Sequence, residues 1–502
     1  MSEVMKTLLL NPPSFQNFDG GASSRWPVTR EIESYWYPVW VTYSAGMLPG
    51  SRLVDACPHK ISWNQTIEIS KGYEFLVLFT STVGFHKDVQ LLRQMKEKNA
   101  HLKVAFVGPH VQNRPAESLT ASEDIDFVVR GEFDHAVVEF AQGRPLAEIL
   151  GISYRENGRV VHTASRPQMH TEQLDALPFA TEVYQRDLVI ENYSVPFLLH
   201  PFVSLYTTRG CPALCTFCQW PQTISGHAWR VRSSDNVVRE IAQALEMFPQ
   251  MKEFFFDDDT FNIRKDRVTE ICAKFKPLKF RWSANARVHS DYETLKAMAE
   301  GGARLFIVGF ESGDDKILKN IKKGATVEMA RTFVKNCRKV GIRIHGDFII
   351  GLPGETKETI QRTIDFAKEL DCQTVQVSLA HAFPGTELYN DLVKGDFLKA
   401  EALTDVNGHQ LPHIEYPWLS REEMIAGVNR FYDSYYFRPK VAWRIVREAL
   451  WDAHERKRLY HEAVAFLRLR AERLKLAREG LEKKAVVAVP AMESRPDSVA
   501  HS

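Results

Sequence analysis

The chain has 502 residues, 44% apolar and 25% charged, ordinary globular usage that can build two or three full-sized cores without disulfide staples. A formal net charge of +1 excludes an overall field that would draw it to nucleic acid or an anionic membrane, so any such partner has to act through a local patch. Seven cysteines, an odd number with three in one short segment, argue against a secreted disulfide framework and for reduced thiols around one special site.

Residues 1–10 carry one lysine and a short apolar run that breaks at Asn11-Pro12-Pro13, unlike a signal peptide or a membrane span, so a cytoplasmic chain is expected. Apolar, partly β-branched runs at 6–10, 52–55, 74–79, 103–107 and 126–129 alternate with amphipathic stretches such as 86–98. That alternation predicts a mostly parallel, doubly wound α/β sheet over 1–147, with any ligand at the carboxyl ends of its strands. A hairpin is predicted over 151–162, because Asn157-Gly158 suits a type I′ turn. Residues 166–195 lack periodicity, and the stretch 148–195 reads as this hairpin and a linker wrapped on the surface.

A second alternating series has strand candidates at 202–206, 253–256, 280–284, 304–310, 342–350 and 374–379, with helical stretches between them. Six βα units without a Gly-rich dinucleotide loop predict a partial (β/α)6 barrel over 196–425, with chemistry on the loops after its strands. Residues 426–484 are helical and basic, and two readings stay open: a helix pair packed on the barrel with a solvated charged face, or an amphipathic surface lying on a membrane. The stretch 485–502 reads as a disordered tail.

Directly after the first strand of the second series, Thr208-Arg209-Gly210-Cys211-Pro212-Ala213-Leu214-Cys215-Thr216-Phe217-Cys218 gives a C-x3-C-x2-C spacing. Thiolates gathered on one loop bind iron–sulfur clusters, and three cysteines on a four-iron cube leave one iron open to a small molecule. A zinc site completed by His227 is the competing reading, although the gap of eight residues to that histidine is wider than zinc-ligand spacings. A fully ligated, non-catalytic electron carrier or redox sensor is the alternative from another class. Cys272, Cys337 and Cys372 read as small buried residues. The aromatic run 35–40 reads as core, or as a seat for a flat or polycyclic ligand.

The cysteine segment closely resembles the radical S-adenosylmethionine (SAM) superfamily, and the resemblance implies a [4Fe–4S] cluster on Cys211, Cys215 and Cys218 whose open iron chelates SAM. It further implies that Phe217 meets the adenine, that Asp258 after the second strand lies near the SAM amino group, and that Arg287 after the third faces the SAM carboxylate. Glu311 after the fourth would accept from the ribose hydroxyls, and Gly351 after the fifth would belong to the adenine-side motif. A doubly wound domain ahead of such a barrel resembles the cobalamin-binding class. No D-x-H-x-x-G segment supplies a histidine to cobalt, so the domain either binds cobalamin or keeps the fold for substrate contacts and packing.

Further stretches narrow the resemblance: Asn11-Pro12-Pro13-Ser14-Phe15, Phe18-Asp19-Gly20-Gly21-Ala22, Cys215 to Thr223, Phe254 to Phe261 and Phe383-Pro384-Gly385-Thr386-Glu387-Leu388. They are similar to the hopanoid-biosynthesis-associated radical SAM proteins of the HpnJ type. That likeness implies a hopanoid glycolipid substrate, contraction of a glucosamine ring to a cyclitol, and an electron donor of the flavodoxin or ferredoxin type. It also implies a cytoplasmic enzyme with peripheral contact to the inner face of the membrane. Nucleic acid is not expected as a partner, because no basic groove or RNA module accompanies the barrel. A cobalamin-dependent radical methyltransferase stays open as the second reading.

Overall fold

The computed structural model describes residues 4–13, 34–399, 403, 411–451, 464, 467, 470 and 471. The predicted tail at 485–502 and the resembling stretch at 18–22 lie outside the described residues, as does most of 426–484 beyond 451. All five predicted runs of the first series become strands, with ends moved by at most one residue: β1 (Thr7–Asn11), β2 (Arg52–Asp55), β3 (Phe75–Phe79), β4 (Lys103–Val107) and β5 (Phe127–Val129). With β6 (Ile152–Glu156) and β7 (Arg159–His162) they form one sheet in the order β2-β1-β3-β4-β5-β6-β7, parallel through β5 and antiparallel after it. The hairpin turns where expected, since Asn157 (φ 51°) and Gly158 (φ 75°) both adopt the positive φ of a type I′ turn.

Helices cover both faces, which is why a strand such as β3 is apolar throughout. One face packs under α1 (Val39–Met47), and the other under α2 (Trp63–Ser70), α3 (Phe85–Lys98), α4 (Pro109–Asn113) and α5 (Pro115–Ala121); α6 (Asp134–Ala141) joins α1. The α1–α6 side merges with the core of the second domain, while the α2–α5 side encloses a separate core.

The stretch 166–195 is not a surface linker. It folds into α7 (Thr171–Asp175) and α8 (Ala180–Asp187) and drives Tyr184 and Tyr193 into full burial, with hydroxyls on Ser204 O (3.0 Å) and Asp55 Oδ2 (2.7 Å). Its polar residues serve the seam between domains, so no single face shows a helical or strand period. The aromatic run settles as core: Tyr37 stacks on Tyr193 at 4.0 Å and donates to Phe202 O at 2.7 Å.

The second domain begins with β8 (Phe202–Leu205). Two short strands absent from the sequence reading follow, β9 (Thr208–Arg209) and β10 (Arg230–Val231), antiparallel across the cysteine segment. The sheet continues with β11 (Glu253–Phe256), β12 (Trp282–Ala286), β13 (Ala303–Glu311), β14 (Arg343–Ile350) and β15 (Thr374–Leu379), all parallel in the order β15-β14-β13-β12-β11-β8. The strand expected at 280–284 starts two residues later, because Lys279 (φ 54°) closes a turn ahead of it.

Helix α9 (Gln219–Thr223) follows the cysteines; α10 (Ser234–Met247), α11 (Lys265–Phe275), α12 (Tyr292–Glu300), α13 (Asp315–Asn320), α14 (Val327–Val340) and α15 (Lys357–Leu370) wrap the sheet, and α16 (Glu387–Lys394) leads out. Helix α17 (Arg421–Tyr436) runs through the boundary expected at 425 and belongs to the barrel. Tyr436 Oη donates to Val375 O and accepts from Val375 N, both at 3.0 Å, and Tyr432 Oη accepts from Val377 N at 3.0 Å. These hydroxyls cap the open edge of β15, which would otherwise present bare peptide groups. Helix α18 (Pro439–Trp451) follows; no helix among the described residues is long and apolar enough to cross a membrane.

Candidate active site

The cysteine loop hangs between β9 and β10. Gly210 (φ 86°) permits the tight crossing, since a Cβ there would meet Ala228 O at 2.2 Å. Cys211 and Cys215 are buried, Cys218 is half-buried, and none of the three is in a disulfide. Backbone bonds fasten the loop: Cys211 N to Gly226 O (3.1 Å), Thr216 N to Ile321 O (3.1 Å) and Leu388 N to Thr216 O (3.0 Å). Gln222 does more than any other side chain there. Its Nε2 donates to Cys215 O (3.1 Å), Thr216 O (3.2 Å) and Cys218 O (2.8 Å), while its Oε1 accepts from Glu387 N (2.8 Å). One amide thus ties the loop to the start of α16.

Three cysteine sulfurs outside any disulfide, on one braced loop, fit an iron–sulfur cluster. The zinc reading needs the His227 ring as the fourth ligand. His227 instead holds the loop through Nδ1 and Cys211 O at 3.1 Å. Thr260, which the sequence reading missed, places Oγ1 3.7 Å from Cys211 Sγ.

The residues expected around SAM fall into two groups. Arg287, Glu311 and the half-buried Phe217 stay near the cysteines or on their loop. The Arg287 guanidinium approaches Cys215 Sγ at 3.6 Å, with its backbone pinned by Asn262 at 2.8 Å. Glu311, in left-handed backbone (φ 66°) at a bulge in β13, accepts from Lys323 Nζ at 2.6 Å. Burial alone would depress the Lys323 ammonium, but Glu311 and the Cys215 thiolate outweigh it and hold it above its ordinary value. Lys323 lies in a turn after α13, where no strand-end signal marks it.

Asp258 and Gly351 are engaged elsewhere. Asp258 is fully buried and accepts from Thr207 N (2.6 Å), Thr208 N (2.8 Å) and Thr207 Oγ1 (2.6 Å), so its expected place at the SAM amino group gives way to fixing the turn from β8 into the cysteine loop. Burial pushes its carboxyl above the usual range. Gly351 (φ 96°) donates to Glu355 Oε2 at 2.5 Å and accepts from Tyr416 Oη at 3.1 Å, and a Cβ would meet Met424 Sδ at 2.9 Å. Both of its peptide groups are occupied, leaving only its Cα surface for a ligand.

The loop is also clamped to the first domain. Arg209, two residues before Cys211, makes a bidentate pair with Asp134 at 2.8 and 3.0 Å and lies over the rings of Trp40 (4.7 Å) and Tyr43 (5.1 Å). Arg230 reaches Glu132 at 2.7 Å and Arg232 reaches Glu240 at 2.6 Å, so these arginines anchor the hairpin rather than line its mouth. In the first domain the sheet order reverses between β1 and β3, opening a crevice at the strand ends. Gly108 (φ 114°) brings the loop after β4 against Thr80 O, which a Cβ would approach to 2.3 Å.

Comparison with known proteins agrees with this layout. A model of the radical SAM superfamily matches residues 205–367, and a model of the B12 binding domain matches residues 25–141. An uncharacterized methyltransferase of Pyrococcus horikoshii is 31% identical over 455 residues, 88% of this chain and 94% of that protein. Among solved structures, the radical SAM methyltransferase TsrM of Kitasatospora setae, with cobalamin and a [4Fe–4S] cluster bound, superposes with a TM-score of 0.69 at 17% identity, over 94% of this chain and 99% of that one. The cobalamin-dependent radical enzyme OxsB, with aqua-cobalamin and SAM bound, gives 0.68 at 15% identity over 93% and 72%. Those two likenesses carry the fold.

Proposed function

The chain belongs to the radical SAM superfamily, in the group with an N-terminal B12-binding domain, and on that footing we propose that it contracts the glucosamine ring of glucosaminyl bacteriohopanetetrol to a cyclitol ether in hopanoid lipid biosynthesis. It is an enzyme that uses a [4Fe–4S] cluster and SAM, which sets the electron-carrier reading aside. What supports the substrate assignment is the resemblance of the residues around the cluster loop, Cys215-Thr216-Phe217-Cys218-Gln219-Trp220-Pro221-Gln222, and of Phe383-Pro384-Gly385-Thr386 to the hopanoid-associated proteins. In this reading Gln222 and α16 brace both stretches into one wall.

A [4Fe–4S] cluster held by these cysteines would supply the one-electron reduction that opens SAM for radical chemistry. The chain's own residues do the positioning. Cys211, Cys215 and Cys218 hold the cluster, Arg287 pairs with the SAM carboxylate beside Cys215, and Glu311 keeps one carboxylate oxygen for the ribose while Lys323 takes the other. Phe217 and the Cα surface of Gly351 border the adenine, and Asp258 fixes the loop from behind. On the lipid, a sugar C–H hydrogen is lost, a ring bond breaks and a carbon–carbon bond closes the smaller ring. One electron and one proton, from a flavodoxin- or ferredoxin-type donor, complete an isomer. We place the enzyme in the cytoplasm at the inner membrane face, supported by exposed Trp443 and Val446 on α18 beside the exposed Lys440.

A cobalamin-dependent methyltransferase is the second reading, favoured by the name of the 31%-identical relative. Anaerobic reconstitution with iron and sulfide, then SAM, reductant and glucosaminyl bacteriohopanetetrol, separates the two by mass spectrometry. Ring contraction yields substrate-dependent 5′-deoxyadenosine and a cyclitol lipid; methyl transfer yields S-adenosylhomocysteine and a heavier lipid. Deoxyadenosine without lipid turnover discards this substrate and keeps the superfamily.

A further inference from the structure

One buried histidine in the first domain has no hydrogen-bond partner on either ring nitrogen. His110, in the turn of α4 directly after Gly108, is 5% exposed, and neither Nδ1 nor Nε2 is hydrogen-bonded. It is the one histidine among the described residues with both ring nitrogens buried and unpartnered. Others have at least one nitrogen bonded: His413 Nε2 accepts from Ala382 N at 3.0 Å although its Nδ1 is unpartnered, and the half-buried His59 takes both Asp55 O (2.9 Å) and Val189 N (3.0 Å). A buried polar atom left unmade is costly, and native proteins keep few of them. Burial drives the His110 imidazole down to about 3, so it stays neutral, one nitrogen a donor and the other an acceptor.

Its position is not that of a filler. The ring is stacked on Phe85 at 4.1 Å and 24°, which fixes its plane, and Gly108 presses the same loop onto the end of β3. Helix α4 lies against α9, the helix that follows Cys218, and Asn113 at its end donates to Pro384 O at 2.7 Å. On the α9 side Trp220 Nε1 is also buried and unpartnered. Unsatisfied polar groups therefore occur on both sides of the junction between the carboxyl edge of the first sheet and the cluster loop.

Resting on the reading that the first domain takes up cobalamin, we infer that His110 hydrogen-bonds the bound cobalamin through an oxygen or amide of its periphery and not through its cobalt. The reason for excluding cobalt is the missing support. An imidazole that ligates a metal almost always has its second nitrogen held by a carboxylate, carbonyl or water, and His110 has nothing on either nitrogen. The buried carboxylate of Asp88, three residues on from Phe85 in α3, is occupied by Thr80 Oγ1 at 2.6 Å. The corrin ring carries amide side chains and the nucleotide tail a phosphate, and both present groups a neutral imidazole can pair with.

The test is titration of the full, cluster-reconstituted chain with hydroxocobalamin, followed by absorbance, for the wild type, His110→Phe and His110→Asn. Phenylalanine keeps the stack on Phe85 and is expected to weaken binding about tenfold or more, the loss of one well-made hydrogen bond in a buried site. Asparagine keeps a donor and an acceptor and is expected to recover most of it. The phenylalanine apoprotein should melt no lower than wild type, because it removes two unsatisfied nitrogens; lower melting with unchanged affinity would assign a packing role and overturn the inference. Cobinamide, which lacks the nucleotide tail, separates the sources: equal weakening points to ring amides, weakening with cobalamin alone points to the tail, and either sustains the contact. Nitrogen splitting in the electron paramagnetic resonance of the cob(II)alamin form that vanishes in His110→Phe would overturn it in favour of axial ligation. Wild type that takes up no cobalamin overturns the cofactor reading itself, whereas wild type that binds beside an equally tight His110→Phe overturns only this residue.

Discussion

The carboxyl edges of the two sheets differ in how densely their buried side chains are braced. At the barrel, the side chains that brace the cysteine loop are multiply engaged: Asp258 accepts three hydrogen bonds, the Gln222 amide serves three carbonyls and one N–H, and Arg232 meets Glu240, Asn236 and Tyr206 O, while Thr208 Oγ1, Thr216 Oγ1 and Trp220 Nε1 stay buried without a partner. At the first sheet, Asp88 receives one donor, Thr80, and His110 none. The contrast follows from what each edge has to do. Radical chemistry needs its cluster fixed before substrate arrives, and geometry is fixed by completing the contacts behind the ligands. An edge that receives a bulky polar molecule leaves part of its hydrogen bonding to the guest.

The sharpest way to break the comparison is to remove what the barrel edge is built to hold. Replacing Cys211, Cys215 or Cys218 by Ala is expected to drop bound iron and sulfide to background and to abolish 5′-deoxyadenosine formation, while circular dichroism of the first domain is unchanged. Retained SAM cleavage in any of the three would sink the assignment. Next in size is the seam that joins the two edges. Arg209→Met leaves Asp134 buried without its partner and is expected to cost about 3–5 kcal/mol in urea unfolding, because an unpaired buried charge is the expensive case. Arg209→Met with Asp134→Leu should recover a large part of that loss, since a buried ion pair is worth little over apolar packing. A double variant as weak as the single would mean the clamp acts through something other than the pair.

These cases also mark how far the chain could be read from its sequence. Strands were legible because each centres on an apolar run: β2 and β4 came out at their expected ends, and Asn157-Gly158 announced its own turn. The cysteines were legible because spacing alone states their chemistry. Roles that depend on who meets whom were not. Asp258 and its neighbours Asp257 and Asp259 read alike, and only the fold shows that Asp258 turns inward to Thr207 while Ser225 Oγ donates to Asp259 at 2.8 Å. Lys323 carries no motif, since its partner is 12 residues away, and Gln222, although inside the resembling stretch, joins Glu387 N from 165 residues away. The stretch 166–195 hid its helices for the same reason: its buried tyrosines answer to Asp55 and Ser204, not to a local period.

Smaller effects sharpen the contrast inside each edge. Gln222→Ala removes donors from three buried or half-buried carbonyls, and is expected to cost about 1–3 kcal/mol and to speed loss of the cluster on exposure to a chelator. Gln222→Glu keeps the size but brings a carboxylate to carbonyls it cannot donate to, so it should hold the cluster no better than alanine. Equal cluster lifetimes in wild type and both variants would show that the backbone bonds alone brace the loop.

The smallest effect belongs to the first sheet, and its sign is set by burial. Burial lifts the Asp88 carboxyl to about 8, against an unfolded value of 3.8, with the Thr80 hydroxyl only partly opposing it. Between those two values the folded chain keeps a proton that the unfolded chain has released. The unfolded state binds fewer protons there, so stability falls as pH rises through the window and is fully retained below it. Across one pH unit near neutrality this amounts to about 1 kcal/mol. Asp88→Asn keeps an acceptor for Thr80 and has no proton to lose, so its urea midpoint should be flatter than that of wild type between pH 6 and 7. If the two fall in parallel, the carboxyl is already ionised in the folded chain, and the first edge is as well satisfied as the barrel's.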